Sequence, residues 1–131
     1  MATQGKYSFR AAVLTISDKG SRGEREDRSG DALEKLLDEN GFQVAYRYIV
    51  PDEPELIQRT LIKWADEEGL SLIVTTGGTG LTPRDVTPQA TLSVIDYEVP
   101  GMAEAMRAES LKKTPHAMLS RAVTGVRKQT L

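Results

Sequence analysis

Cysteine is absent from the chain, and histidine occurs once, as His116. The first absence excludes disulfides, thiolate zinc sites and cysteine nucleophiles together. With one histidine, paired-imidazole metal centres and a serine–histidine hydrolytic arrangement both lose ground. Surplus charge is also missing: 17 Lys and Arg stand against 19 Asp and Glu, a net charge of −2. A nucleic-acid backbone is held by an excess of cations, so no nucleic-acid partner is expected and any anion site must be local. No stretch approaches the roughly 20 apolar residues that span a bilayer, and Met1 to Tyr7 has no signal-like apolar core. The expectation is a cytoplasmic protein without a membrane partner.

What is present fits one domain. The 131 residues are 39% hydrophobic and 27% charged, as in a folded globular chain. Ala11 to Ile16 is almost continuously apolar, the pattern of a strand covered on both faces. A polar loop runs from Ser17 to Arg28. Ala32, Leu33, Leu36 and Leu37 then recur at helical spacing up to Gly41, which suits a left-handed helix cap. Val44 to Val50 reads as a second strand, placed nearer an edge by Arg47 and stopped by Pro51. Leu56, Ile57, Thr60, Leu61, Trp64 and Ala65 mark one face of a helix ending at Gly69. Leu70 to Thr76 reads as a third strand. A helix from Thr87 or Pro88 to Ile95 follows, then one from Pro100 to Leu111 with Met102, Ala103 and Met106 facing inward. The alternation predicts a three-layer α/β/α sandwich around a mostly parallel sheet. Val126 to Leu131 reads as the start of a further strand.

Ligands in such sheets settle at the carboxyl ends of the strands. Three clusters fall there: Ser17 and Asp18, Asp52 and Glu53, and Gly77-Gly78-Thr79-Gly80. The last belongs to the run Thr75 to Pro88, in which closely spaced glycines allow backbone N–H groups to approach an anion. It matches neither a Walker loop nor GxGxxG, and it could equally be a tight strand-to-helix turn. Asp85 lies beside it. A carboxylate next to a phosphate calls for a bridging cation, and magnesium takes one or two carboxylates together with phosphate oxygens. The plainer alternative is that Asp85 caps the next helix and Asp52 caps the second one, with Glu55 as its capping-box partner. The charged segment Ser17 to Gly30 is either a solvated loop with Ser29 as helix cap or a lid. His116 reads as structural or surface.

Several runs occur together in a familiar order: Leu14-Thr15-Ile16-Ser17-Asp18, Asp27-Arg28-Ser29-Gly30, Val50-Pro51-Asp52-Glu53, Thr75 to Pro88, Val99-Pro100-Gly101-Met102 and Met118-Leu119-Ser120-Arg121-Ala122. With them the chain resembles the molybdenum cofactor biosynthesis family. That family includes the bacterial Mog and MoaB proteins and the G domains of gephyrin and its plant counterpart. The resemblance implies a molybdopterin-binding-domain-like fold, a homotrimer or hexamer, and transfer of AMP from ATP to molybdopterin with magnesium. It implies catalytic roles for Asp52 and Asp85, which would also be the magnesium ligands. It places Gly77, Gly78, Thr79 and Gly80 at the nucleotide and pterin site, with Ser17, Asp18, Asp27, Gly30, Glu104, Ser120 and Arg121 around it. A molybdenum insertase is the implied partner. Two other readings share the motifs: a carrier that binds molybdopterin without adenylylating it, and an oligomerisation or scaffold domain. Family members continue with a strand and an Asn-Leu-Pro-Gly motif, so residues 1–131 are expected to lack the domain's last strand and helix.

Overall fold

The computed structural model describes residues 6–131, so the reading of Met1 to Tyr7 falls mostly outside it. Strand β1 (Phe9–Ile16) is central, flanked in parallel by β2 (Phe42–Val50) and β3 (Leu72–Thr76) in the order β2-β1-β3. Its central place follows from its sequence. Ala11, Ala12, Val13 and Leu14 are fully buried, as only a strand covered on both faces can be. The β1–β2 register slips once: Ala11 pairs with Val44 and Ala12 with Tyr46, leaving Ala45 as a bulge. Arg47 is therefore on an edge strand, as its charge suggested.

Helices cover both faces. Ala11 and Val13 pack with Leu33 and Leu37 of α2 (Arg28–Glu39). On the other face, Ala12, Leu14 and Ile16 meet Ile57 and Leu61 of α3 (Pro54–Ile62) and Ala90 and Val94 of α4 (Thr87–Val94). The α3 helix runs on into a π-helical turn, Lys63–Glu67. The wider turn keeps both Trp64 and Ala65 in the core, and Trp64 stacks on Tyr46 with ring centres 6.0 Å apart. Gly41 and Gly69 end their helices at φ +86° and +59°, as helix caps require.

Three local expectations differ from the structure. The segment after Ile16 is not wholly loop: Ser17 caps a short helix, α1 (Asp18–Ser21), through a bond from the Gly20 N–H. Helix α5 (Pro100–Leu111) buries Ala103, but Met102 and Met106 are 41% and 54% exposed. Periodicity marks an apolar stripe, not what covers it. Finally, Val126 to Leu131 is not one strand. Gly125–Val126 (β5) pairs antiparallel with Tyr97–Glu98 (β4), and Lys128 then turns the chain at φ +54°. Leu131 returns to the outer edge of β3, its N–H donating to the Ser71 carbonyl and its carbonyl accepting from the Ile73 N–H.

Ile57 is fully buried where α3 meets β1 and α4, so Ile57→Ala should cost about 2–5 kcal/mol of stability. Urea denaturation checks this; a loss well under ~1 kcal/mol would mean that the site collapses freely.

Candidate active site

The three strands end side by side. The Ser17 N–H bonds the Val50 carbonyl at 2.8 Å, tying the end of β1 to that of β2. At the end of β3, Gly77 and Gly78 both take positive φ, +99° and +70°. A Cβ on Gly77 would stand 2.2 Å from the Ile16 carbonyl oxygen, and one on Gly78 would stand 2.2 Å from Thr87 Oγ1. Only glycine fits either position, by backbone angle and by space. Thr87 fastens the loop, its Oγ1 donating to the Gly77 carbonyl and its N–H to the Gly78 carbonyl.

Above these ends lies an open depression of about 770 Å³ lined by Ser17, Asp27, Asp52, Gly77, Gly78 and Asp85, with Arg25 and Arg28 on its wall. Asp52 is not a helix cap. The α3 cap position belongs to Glu53, which makes no side-chain cap bond. Instead Asp52 and Asp18 hold each other. The Asp18 N–H donates to Asp52 Oδ2 and the Asp52 N–H to Asp18 Oδ1, both at 2.9 Å. Nor does Asp85 cap α4, whose cap residue is Val86. Asp85 Oδ2 accepts from both the N–H and the hydroxyl of Thr82.

The carboxylates differ electrostatically. Burial pushes the Asp52 carboxyl above its ordinary value, reinforced by the charges of Asp18 and Asp85 and opposed by the Asp18 N–H and Arg84. Hydrogen bonds from Thr82 hold Asp85 below the usual range. Asp18 is lowered too, first by its bond from Arg84. At Asp27 burial acts upward and is the largest single influence. Arg47, the Thr15 hydroxyl and the Gly30 N–H together outweigh it, and the carboxyl is lowered.

The remaining residues sort by position. Asp27, not Ser29, caps α2, with Gly30 so close that a Cβ there would meet Asp27 Oδ2 at 2.1 Å. Gly80 packs against Asp85. Thr79 lines a second, largely apolar cavity of about 220 Å³ beside β3. Arg121 is spent on the loop backbone: its guanidinium donates to the carbonyls of Gly80 and Asp85, and its N–H to the Thr79 carbonyl. Ser120 adjoins it, its carbonyl near Arg107. Glu104 is exposed on α5 and lines neither cavity. The structure adds Thr15, Arg47, Arg84 and Thr87, which sequence reasoning did not single out as site residues. Their part is to hold other residues, and no spacing rule announces that.

The chain as a whole matches known proteins. A family model described as a probable molybdopterin binding domain matches residues 12–131. The chain belongs to that family.

A Helicobacter pylori protein named molybdopterin adenylyltransferase is 47% identical over 91% of this chain and 69% of its own length. The Escherichia coli protein of the same name is 44% identical over 95% of this chain. The chain thus spans roughly two thirds of these bacterial relatives' length, 69% and 65% respectively. Among solved structures, the molybdopterin biosynthesis enzyme MoaB of Thermus thermophilus aligns with TM-score 0.88 and 56% identity, covering 94% of this chain and 77% of that one.

The cost of burying Asp52 gives a test. Its raised folded value means that the ionised form weakens the fold above that value, and that the penalty fades as pH falls toward about 4. Asp52→Asn, which keeps an acceptor for the Asp18 N–H, should therefore match or exceed the parent's melting temperature at pH 7. That margin should disappear by about pH 3.5. A deficit at pH 7 that shrinks toward about pH 3.5 would show instead that the ionised carboxylate supports the fold.

Proposed function

We propose that this chain is a molybdopterin adenylyltransferase, acting in molybdenum cofactor biosynthesis at the depression over the strand ends. The observation that carries this reading is that Asp52 and Asp85 share one open site with the Gly77-Gly78 turn, and neither is used as a cap. The names of the bacterial relatives supply the reaction, with ATP and molybdopterin as substrates.

The chemistry suits these residues. An oxygen of the molybdopterin phosphate attacks the α-phosphorus of ATP. The bond from that phosphorus to the bridging oxygen breaks, and pyrophosphate leaves. The attacking phosphate is already ionised near neutral pH, so no histidine base is required. Alignment and charge neutralisation provide the acceleration. The backbone of Gly77 and Gly78 brings fixed dipoles up to phosphate oxygens, and Asp52 and Asp85 order the cationic side of the site.

Magnesium fits as a bridge to substrate. Four carboxylates line the depression; Asp27 is taken by Arg47 and Glu26 lies against Arg28, which leaves Asp52 and Asp85 beside the glycine turn. Among the described residues no group of three acidic, histidine or cysteine side chains could hold an ion alone. Asp85 and Asp52 would hold it, and when bound it would neutralise charge on the triphosphate. We also read the exposed Met102, Met106, Leu111, Met118 and Leu119, on α5 and the 3-10 turn Pro115–Leu119 beside it, as a self-association surface. A homotrimer, or a hexamer built from it, is the assembly in keeping with the family. The adenylylated product would pass to a molybdenum insertase. We read the reaction as cytoplasmic, in keeping with the lack, among the described residues, of any helix long and apolar enough to cross a membrane.

Asp85→Ala should leave the melting temperature within a few degrees of the parent while adenylyl transfer falls roughly 100-fold or more. Release of pyrophosphate from ATP and molybdopterin reads this, and unchanged turnover would remove Asp85 from the mechanism. A carrier would bind molybdopterin yet release no pyrophosphate. For the assembly, Met106→Asp should lower the mass measured by sedimentation to that of a monomer; an unchanged mass would exclude that face as the contact.

A further inference from the structure

Arg84 sits in the loop between β3 and α4, half exposed, and its guanidinium reaches across to the ends of the other two strands. Nε and Nη2 donate to Asp18 Oδ2 and Oδ1 at 3.1 and 2.9 Å, a two-pronged grip on one carboxylate. Nη2 also donates to Glu53 Oε1 at 3.0 Å. Asp18 lies at the start of α1, directly after β1, and Glu53 lies after β2. One side chain therefore links all three strand ends.

Stability does not explain this arrangement. The Arg84 side chain is 55% exposed, and ion pairs so open to water contribute little to folding. Orientation does. Asp18 Oδ1, which takes Arg84 Nη2, is the same oxygen that accepts the Asp52 N–H. The Asp18 N–H in turn fixes Asp52 Oδ2, and this leaves Asp52 Oδ1 facing Gly78, 3.2 Å from where a Cβ would stand. Rotation of the Asp18 carboxylate would break the Asp52 N–H bond and free the Asp52 backbone to move.

We propose that Arg84 is a positioning residue that fixes Asp52 through Asp18, aiming Asp52 Oδ1 at the glycine turn. This rests on the adenylyltransferase reading for its catalytic consequence but not for its geometry. A guanidinium is required because a lysine ammonium cannot grip both oxygens of Asp18 and Glu53 at once.

The experiment combines kinetics with amide hydrogen exchange on Arg84→Gln, Arg84→Lys, Asp18→Asn and the Asp18→Asn/Arg84→Gln double variant. Arg84→Gln should lower kcat about tenfold or more, with KM for ATP within about threefold of the parent. Arg84→Lys should recover only part of the loss. Because the two residues act as a unit, the double variant should fall no further than the worse single one. In the absence of any substrate, the Asp18 and Asp52 amides should exchange about tenfold faster in Arg84→Gln, while that of Leu14 in β1 stays unchanged. A rise in KM at constant kcat would make Arg84 a substrate ligand and overturn the proposal. So would additive losses or unchanged exchange at Asp52. If the parent chain proves unable to adenylylate, the reaction assignment fails, and the exchange arm still decides whether Arg84 holds Asp52.

Discussion

The site depends on one close approach, that of the Gly77 backbone to the Ile16 carbonyl at the end of β1. Any side chain at Gly77 would overlap that carbonyl, which belongs to the central strand and cannot yield. The turn therefore lies flat against the sheet end instead of arching over it. Flatness has a consequence for Gly78. It can then offer its carbonyl to the Thr87 N–H, and α4 starts immediately behind the loop. At the turn itself the site presents backbone, with the side chains of Ser17, Asp52 and Asp85 around it, and fixed peptide dipoles need no reordering when charge shifts between oxygens.

The two most enclosed carboxylates of the depression are driven in opposite directions. Asp27 is buried but fully engaged: Arg47, Thr15 and Gly30 stabilise its charge, and it is held ionised. Asp52 is also withdrawn from water, with its cation one residue removed, since Arg84 grips Asp18 instead. Structural carboxylates carry their own counter-ions. A carboxylate that must meet a cation brought by substrate cannot, because a resident guanidinium would occupy the place. The under-compensated state of Asp52 is therefore what a functional acid should show, and the saturated state of Asp27 is what a helix cap should show.

The layer order, the central place of β1 and the edge place of β2 were legible because burial writes itself into hydrophobic pattern. Ala11 to Ile16 could hardly lie elsewhere. The strand-end clusters were legible for a topological reason, since parallel strands bring Ser17, Asp52 and Gly77 together whatever their spacing in sequence. Less visible was how residues are used. Asp52 and Asp85 have good capping residue types at plausible capping positions, and the choice against capping is made by Thr82 and Asp18, residues whose contacts no periodicity reports. Met102 and Met106 follow a helical stripe faithfully, yet a stripe says nothing about whether its cover lies within the same chain. Glu104 carries a motif resemblance without a place in the depression, so its role within one chain has no geometric support.

The arginines divide by what they hold. The family resemblance places Arg121 around the pocket without giving it a ligand. In the fold it braces the loop by taking the Gly80 and Asp85 carbonyls, while Arg84 takes carboxylates and Arg47 takes Asp27. Three guanidinium groups around the site are committed to protein oxygens. In the proposed reaction, positive potential for the triphosphate is left to backbone dipoles, to a metal brought with the nucleotide, and to Arg25 and Arg28 on the exposed wall, Arg28 being paired only with the exposed Glu26. Committed arginines confer rigidity, and uncommitted charge confers attraction. A site that aligns two phosphates in line needs the first kept constant while the second changes with each substrate. In the proposed reaction, separating the two roles among different arginines would let nucleotide enter and pyrophosphate leave without loosening the frame that holds Asp52 and Asp85.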